Sequence, residues 1–255
     1  MRIVAVIPAR MGSSRFPGKP LFPIAGVPLV EHVRRRASLC RSFREVIVAT
    51  CDREIAELVR QYGGQVRMTS PTHAAATDRV AEAVERLDCT HVVNVQGDEA
   101  LVLPEDLSRL ARAMQRSPEV PAWNAVAPLE GPQELSDRSV VKCLVSRSGK
   151  ILFCSRDFSA LLGAGNGRLP VRKVLGVLGF RRDFLRRYLK LARTPLEVWE
   201  SVDQSRILEH DFVLRAVPFT RGYPGINLPQ EVGQVEAILE REPLQRKMLR
   251  RVLEE

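Results

Sequence analysis

The stretch "AVIPARMGSSRFPGKPL" (5–21) sets three cations, Arg10, Arg15 and Lys19, among Gly12, Ser13, Ser14, Pro17 and Gly18, directly after an apolar run. That run (2–8) reads as a buried strand, because it is continuous and rich in β-branched residues. In open parallel sheets, ligands bind beyond the carboxyl ends of strands. A loop placed there suits phosphate oxygens: Gly12 lets backbone amides approach an anion, Ser13 and Ser14 add hydroxyls, and the cations add charge. The loop is not GxGxxG. Nor is it GxxxxGK[ST], since the spacing before Lys19 is wrong and Pro20 follows it. Polyphosphate binding is the chemistry these residue types favour. A second turn, "NVQGDE" (94–99), ends another apolar strand and supplies Asp98 and Glu99. A hard cation such as Mg²⁺ takes one or two carboxylates plus phosphate oxygens. Asp98 is therefore the expected metal ligand, with Glu99 the weaker candidate.

The elements that must position these turns follow from hydrophobic spacing. A helix over 28–40 begins at a proline, and a strand over 45–50 precedes a helix that opens at Asp52 and ends at Gly63. "QVRM" is a short strand, 77–87 a helix with the apolar stripe Val80, Ala83, Val84, Leu87, and 91–99 a buried strand running into its turn. "PEDLSRLARAMQRS" is a further helix. Alternating strands and helices with short connections predict an α/β fold with a mostly parallel sheet covered on both faces. The second half is less regular. "WNAVAPL", "VVKCLV", "ILFC", "VLGVLGF" and 211–219 read as strands, "RRDFLRRYLKLA" and 228–241 as helices. The expected division is a core of 1–120 plus 216–255 and a smaller lobe of 121–215.

Composition narrows the function. The 255 residues suffice for one substantial core with a smaller lobe, and 45% apolar with 27% charged content is ordinary for a globular protein. No apolar run approaches the roughly 20 residues that span a bilayer. The first residues lack a small-residue cleavage site. The cytoplasm is the expected location. The five cysteines are never closer than eleven residues, and the four histidines form no HExxH. Packed thiols and incidental imidazoles are expected rather than a zinc site or disulfides. The formal charge of +9 is spread along the chain, and its densest runs, "HVRRRASLC" and "LQRKMLRRVLEE", read as solvated helix faces. With 5% aromatics the chain does not suit base stacking, so no nucleic-acid partner is expected.

Four stretches in order, "IPARMGSSRFPGKPL", "TDRVAEA", "VNVQGDE" and "PLEVWESVDQSRILEH", resemble the CMP-Kdo synthetases (3-deoxy-manno-octulosonate cytidylyltransferases) over nearly the whole chain. The resemblance implies a Rossmann-like, GT-A-like nucleotidyltransferase fold, CTP as substrate, Mg²⁺, and a homodimer built through the smaller lobe. It implies that Lys19, Arg15 and Asp98 are catalytic. Arg10, Gly12, Ser13, Ser14, Arg15, Lys19, Thr77, Asp78, Arg79 and Gln96 would surround CTP. Asp98 and Asn227 would hold the metal. The implied reaction is in-line attack of an acceptor oxygen on the α-phosphorus, with pyrophosphate leaving.

Four departures from the family pattern shape the acceptor expectation. "HAAATDR" stands for H-x-S-G-T-[DE]-R. Val174 and Leu178 stand where a His and a Tyr would contact the sugar acid. "DFSALLGAG" follows Ser155 and Arg156 in place of a proline-rich segment, and Asn227 replaces a metal-binding Asp. A pocket built for hydroxyls loses affinity steeply when such partners vanish. The main expectation is therefore a cytidylyltransferase acting on a small non-Kdo acid, such as phosphonoformate. Arginines such as Arg156, Arg172, Arg181 and Arg206 would clamp the acid. Arg156, Val174, Leu178, Glu200, Gln204 and Arg206 are its acceptor-side candidates. The alternatives are transfer to Kdo or a close sugar acid, and a catalytically silent nucleotide-binding homologue.

Overall fold

The structure, a computed structural model, describes residues 1–13, 15–73, 75–161 and 171–254. The chain divides into two compact units, Met1–Ala111 with Tyr223–Glu255, and Arg112–Gly222. The unit edges fall at 111 and 222, so the whole of the strand expected over 211–219 belongs to the second unit.

In the first unit, β1 (Ile3–Ala9) is buried along its whole length. A two-residue hairpin, β2 (Pro23–Ile24) and β3 (Val27–Pro28), leads into α1 (Leu29–Ser38). Then come β4 (Glu45–Thr50), α2 (Arg53–Gln61), β5 (Gln65–Met68), α3 (Ala76–Ala83), β6 (His91–Val95) and α4 (Pro104–Arg116), within which the unit boundary falls. The strands order β6-β1-β4-β5, every pair parallel, with Val6 opposite both Asn94 and Ile47. In-register pairing brings the carboxyl ends of β1 and β6 side by side. That adjacency places the two sequence turns next to each other.

The second unit holds β7 (Ala122–Ala127), β8 (Lys142–Val145), β9 (Ile151–Ser155), β10 (Val171–Arg181), α5 (Arg182–Tyr188), α6 (Pro195–Glu200), α7 (Gln204–Glu209) and β11 (Leu214–Pro218). Its strands run β11-β7-β10-β8-β9, antiparallel except for β11 with β7. Where β10 pairs β7 the register shifts between Val174 and Leu178, a bulge of the kind that re-aims side chains. Cys143 and Cys154 face each other in register across β8 and β9 as buried thiols, and burial pushes the Cys143 thiol up to about 12.

The first unit closes with α8 (Val232–Arg241) and α9 (Pro243–Glu254). The helix expected over 228–241 begins later, because Pro229–Glu231 forms a tighter 3₁₀ turn first. The arginine run of α1 corrects a second expectation. Arg34, Arg35 and Arg36 are buried rather than solvated. Glu31, fully buried, accepts from Arg34 at 2.7 and 2.8 Å and from Arg35 at 3.1 Å. Arg36 donates to the Gln245 Oε1 at 2.9 Å, and Arg35 to the Val252 carbonyl of α9. No helix among the described residues is long and apolar enough to cross a membrane.

Candidate active site

The loop after β1 is fixed by burying its own centre. Phe16 sits in a cluster with Ile24, Leu29, Ala100, Leu101 and Ile226, so Arg15 and Lys19 emerge on either side of an anchored ring. Gly18 adopts φ +74, a left-handed conformation that favours glycine, and starts the 3₁₀ turn Lys19–Leu21. From that turn the Lys19 ammonium donates to the Ile226 carbonyl at 2.8 Å and to Asp98 Oδ2 at 3.4 Å. Ile226 N–H in turn donates to the Asp98 carbonyl at 3.1 Å. Three segments distant in sequence thus close a ring of contacts. Arg15 Nη2 reaches Asn227 Oδ1 at 3.1 Å, beside the same ring.

Gly97 makes the second turn possible, since a Cβ there would stand 2.9 Å from the Pro8 carbonyl oxygen. Its absence lets the end of β6 run against β1 and brings Asp98 to the loop. The result is a cavity of about 280 Å³ lined by Arg10, Ser13, Arg15, Lys19, Arg79, Gln96 and Asp98, among others. Four of its side chains are cationic at neutral pH and one is a carboxylate.

Of the ten expected nucleotide residues the cavity gathers six, Arg10, Ser13, Arg15, Lys19, Arg79 and Gln96, with Asp98, the expected metal ligand, beside them. Thr77 is buried in α3 and does not line it, and the Asp78 Oδ2 accepts the Ala75 N–H at 3.2 Å, steadying the start of α3. Gly12 is not a lining residue, and a Cβ there would meet open space. Ser14 lies outside the described residues. The loop offers fewer backbone donors than its composition suggests. The N–H groups of Met11, Ser13, Phe16, Gly18 and Lys19 all bond to other protein atoms. An anion in the cavity would meet mainly side-chain donors.

His73 is a lining residue that sequence reasoning passed over as incidental. Its Nε2 pairs with the Glu82 carboxylate, which also accepts the Ser70 N–H at 2.9 Å. Arg79, buried yet lining the cavity, holds the same turn through Thr69 Oγ1 and the Ser70 carbonyl. The available signal was position, because His73 heads the segment "HAAATDR".

A divalent cation fits the donor set only with help from a ligand. Among the described residues no three His, Cys, Asp or Glu groups are arranged to hold a metal. Asp98 supplies one carboxylate, and Asn227, next to Ile226 in the contact ring, supplies a carbonyl oxygen. One carboxylate plus substrate phosphates is the pattern of Mg²⁺-type sites that fill with their nucleotide.

The acceptor-side candidates all lie in the second unit. Arg156 donates to the carbonyls of Glu200 at 2.7 Å and Arg138 at 3.0 Å, while Glu200 accepts the Arg156 N–H at 2.9 Å and the Ser155 hydroxyl at 3.2 Å. Gln204 donates to Asn124 Oδ1 at 2.8 Å, and Asn124 donates to the Leu175 carbonyl inside the β10 bulge at 3.0 Å. Val174 is half-buried at the edge of that bulge.

Two of the expected acceptor residues are engaged within the second unit. Leu178 is a core residue, 2% exposed. Arg206, buried, forks onto Glu197 (Nε to Oε2 at 2.7 Å, with the second pair shorter) and lies over the Tyr188 ring. Arg181 pairs likewise with Asp183, and Arg172 Nη1 donates to the Val171 carbonyl at 2.8 Å. These guanidiniums serve the fold, which weakens the case for an arginine clamp on a compact anion.

Burial alone would lift the Glu197 carboxyl, but its bonds from Arg206 and Arg193 outweigh that and hold it below the ordinary carboxylate value. Glu197→Gln is expected to lower stability by about 3–5 kcal/mol, read as a reduced urea midpoint. A lowered folded-state value means the pair stabilises above the ordinary carboxylate range and loses that contribution as pH falls through the lowered value. The gap between variant and wild type should therefore narrow in acid.

A cationic loop and an aspartate meeting at the carboxyl edge of a parallel sheet make a site suited to an anionic ligand, and likeness to known proteins places that site in an α/β nucleotidyltransferase. A cytidylyltransferase family profile matches residues 4–214. The 3-deoxy-manno-octulosonate cytidylyltransferase of Myxococcus xanthus is 44% identical over 241 residues, 93% of this chain and 96% of that protein. The enzyme of the same name from Syntrophotalea carbinolica is 38% identical over 250 residues, 94% of this chain and 99% of that one. A solved CMP:2-keto-3-deoxy-manno-octonic acid synthetase complexed with CTP superposes with a TM-score of 0.89 at 32% identity, covering 95% of this chain and 100% of that structure. The chain belongs to the cytidylyltransferase family, in its 3-deoxy-manno-octulosonate cytidylyltransferase group, and is a CTP-dependent nucleotidyltransferase.

Proposed function

We propose that this chain transfers the CMP group of CTP to 3-deoxy-manno-octulosonate and releases pyrophosphate. The observation that carries this reading is the identity of 38% and 44% to enzymes of that name across more than nine-tenths of the chain. A phosphonate acceptor, the main expectation from Val174 and Leu178, finds no support among these relatives, and the arginines that motivated it are engaged in the fold. The sugar acid is the better acceptor.

In this reading Lys19 and Arg15 bind triphosphate oxygens and offset the charge that builds as pyrophosphate leaves. Arg10, Ser13, Arg79 and Gln96 line the nucleotide, while Thr77 and Asp78 set the start of α3 behind it. The acceptor oxygen forms its bond to the α-phosphorus in line. The bond from that phosphorus to the β-bridging oxygen breaks, and the electron pair departs with pyrophosphate. Asp98 and the Asn227 carbonyl oxygen would hold a divalent cation of the Mg²⁺ kind, which would supply charge stabilisation to the triphosphate. The acceptor side of this reading falls to residues of the second unit, Val174, Arg156, Glu200 and Gln204.

The test is pyrophosphate release by purified protein with CTP, Mg²⁺ and a panel of 3-deoxy-manno-octulosonate, related sugar acids and phosphonoformate. Release with the octulosonate is the expected result. Release with phosphonoformate alone would restore the phosphonate acceptor, and CTP binding without release on any acceptor would mark a silent homologue.

A homodimer belongs to the same reading. Trp199 is 82% exposed and Val198 57%, on the second unit, an exposed aromatic with an apolar neighbour of the sort that centres protein interfaces. Trp199→Lys is expected to convert a dimer to monomer by light scattering. A dimer of unchanged mass would move the contact elsewhere.

A further inference from the structure

Asp52 precedes α2 at the position where an aspartate ordinarily caps its own helix, yet it makes no side-chain cap bond. Its Oδ2 accepts the Met11 N–H at 2.8 Å instead. Met11 is the hub of the cationic loop, because its carbonyl accepts the N–H of Ser13 at 2.8 Å and of Gly18 at 3.1 Å. Behind Asp52 stands Thr50, fully buried at the end of β4, whose hydroxyl accepts the Asp52 N–H at 3.1 Å. Thr50 sits opposite Ala9 in the parallel ladder. A continuous path therefore runs from the sheet through Asp52 and Met11 to both ends of the turn that carries Arg15 and leads into Lys19.

We propose that Asp52 is a positioning residue for nucleotide binding, holding the Met11 hub so that the loop keeps one shape over the cavity. It is no phosphate ligand. A carboxylate near a triphosphate repels it, so the charge of Asp52 brings a cost, and its benefit lies in the hydrogen bond to Met11. An acceptor oxygen is needed there, and a negative charge is not. The proposal rests on the nucleotide reading of the cavity.

The test measures CTP affinity by titration calorimetry with Mg²⁺ and without any acceptor, alongside thermal melts. Asp52→Ala is expected to weaken CTP binding about tenfold, the scale of a lost hydrogen bond, with the Met11 amide exchanging faster. Asp52→Asn keeps an acceptor at the same reach and is expected to bind CTP within about threefold of wild type. If Asp52→Ala melts too low to assay, Asp52→Glu replaces it, since its acceptor is displaced by a methylene; weakened binding is again expected. Wild-type affinity in the Ala or Glu variant overturns the proposal while leaving the nucleotide reading intact. An Asn variant as weak as Ala also overturns it, because the charge rather than the bond would then matter. Failure of the wild-type protein to bind CTP overturns the nucleotide reading, and the role of Asp52 with it.

Discussion

Lys19→Ala is expected to lower kcat/KM for pyrophosphate release by about a hundredfold or more, with little change in melting temperature. The ammonium touches both the Ile226 carbonyl and the Asp98 carboxylate, at 2.8 and 3.4 Å, so its position is set from two sides. A preorganised charge facing a leaving group acts in the transition state without reorganising first, and loss of one such donor costs about 3–4 kcal/mol. The fold depends on it far less. Its side chain is 16% exposed, and the loop remains anchored by Phe16 and by the Met11 hydrogen bonds. The loss should appear chiefly in kcat if Lys19 acts on departing pyrophosphate, and chiefly in the KM for CTP if it binds the ground state equally well. Steady-state kinetics over a range of CTP concentrations separates the two. Near-normal kcat/KM would remove the loop from the mechanism.

What the sequence made legible follows the range over which its signals act. The convergence of Lys19 and Asp98 was readable because each turn ends a buried strand, and parallel strands deliver their carboxyl ends to one edge. Only the adjacency of β1 and β6 had to be learned from the register of Val6 with Asn94. The partner of Arg15 was not readable from local pattern, since Asn227 lies far along the chain and only the family resemblance singled it out.

The arginines were misread for one shared reason. A charge run at helical spacing has the pattern of a solvated face, and only the packing of α1 against α9 reveals that Arg34, Arg35 and Arg36 are buried around Glu31 and Gln245. Arg206 likewise reads as a spare cation until its fork onto Glu197 is seen. His73 was missed because a lone histidine in a loop has no spacing to betray it. Its significance comes from the cavity it lines and the carboxylate that orients it.

Asp98→Asn should reduce kcat/KM by about a hundredfold or more, and the Mg²⁺ concentration giving half-maximal rate should rise with it. Asparagine keeps the size of the side chain and an oxygen at the same reach, so the change isolates charge. Asp98 is the only carboxylate lining the cavity among the described residues, and Asn227 contributes a neutral oxygen. With both positions neutral, the protein would offer a divalent cation no anionic ligand, leaving the phosphates to hold it alone. The backbone role of residue 98 is untouched, since its carbonyl, not its carboxylate, takes the Ile226 N–H at 3.1 Å. A melting temperature close to wild type is therefore expected. Because Lys19 and Asp98 are in contact, their losses should not add; the Lys19→Ala, Asp98→Asn double variant should fall short of the product of the two single effects. Unchanged Mg²⁺ dependence in Asp98→Asn would show that the cation is held elsewhere, and additive losses would show that the two residues act on separate steps.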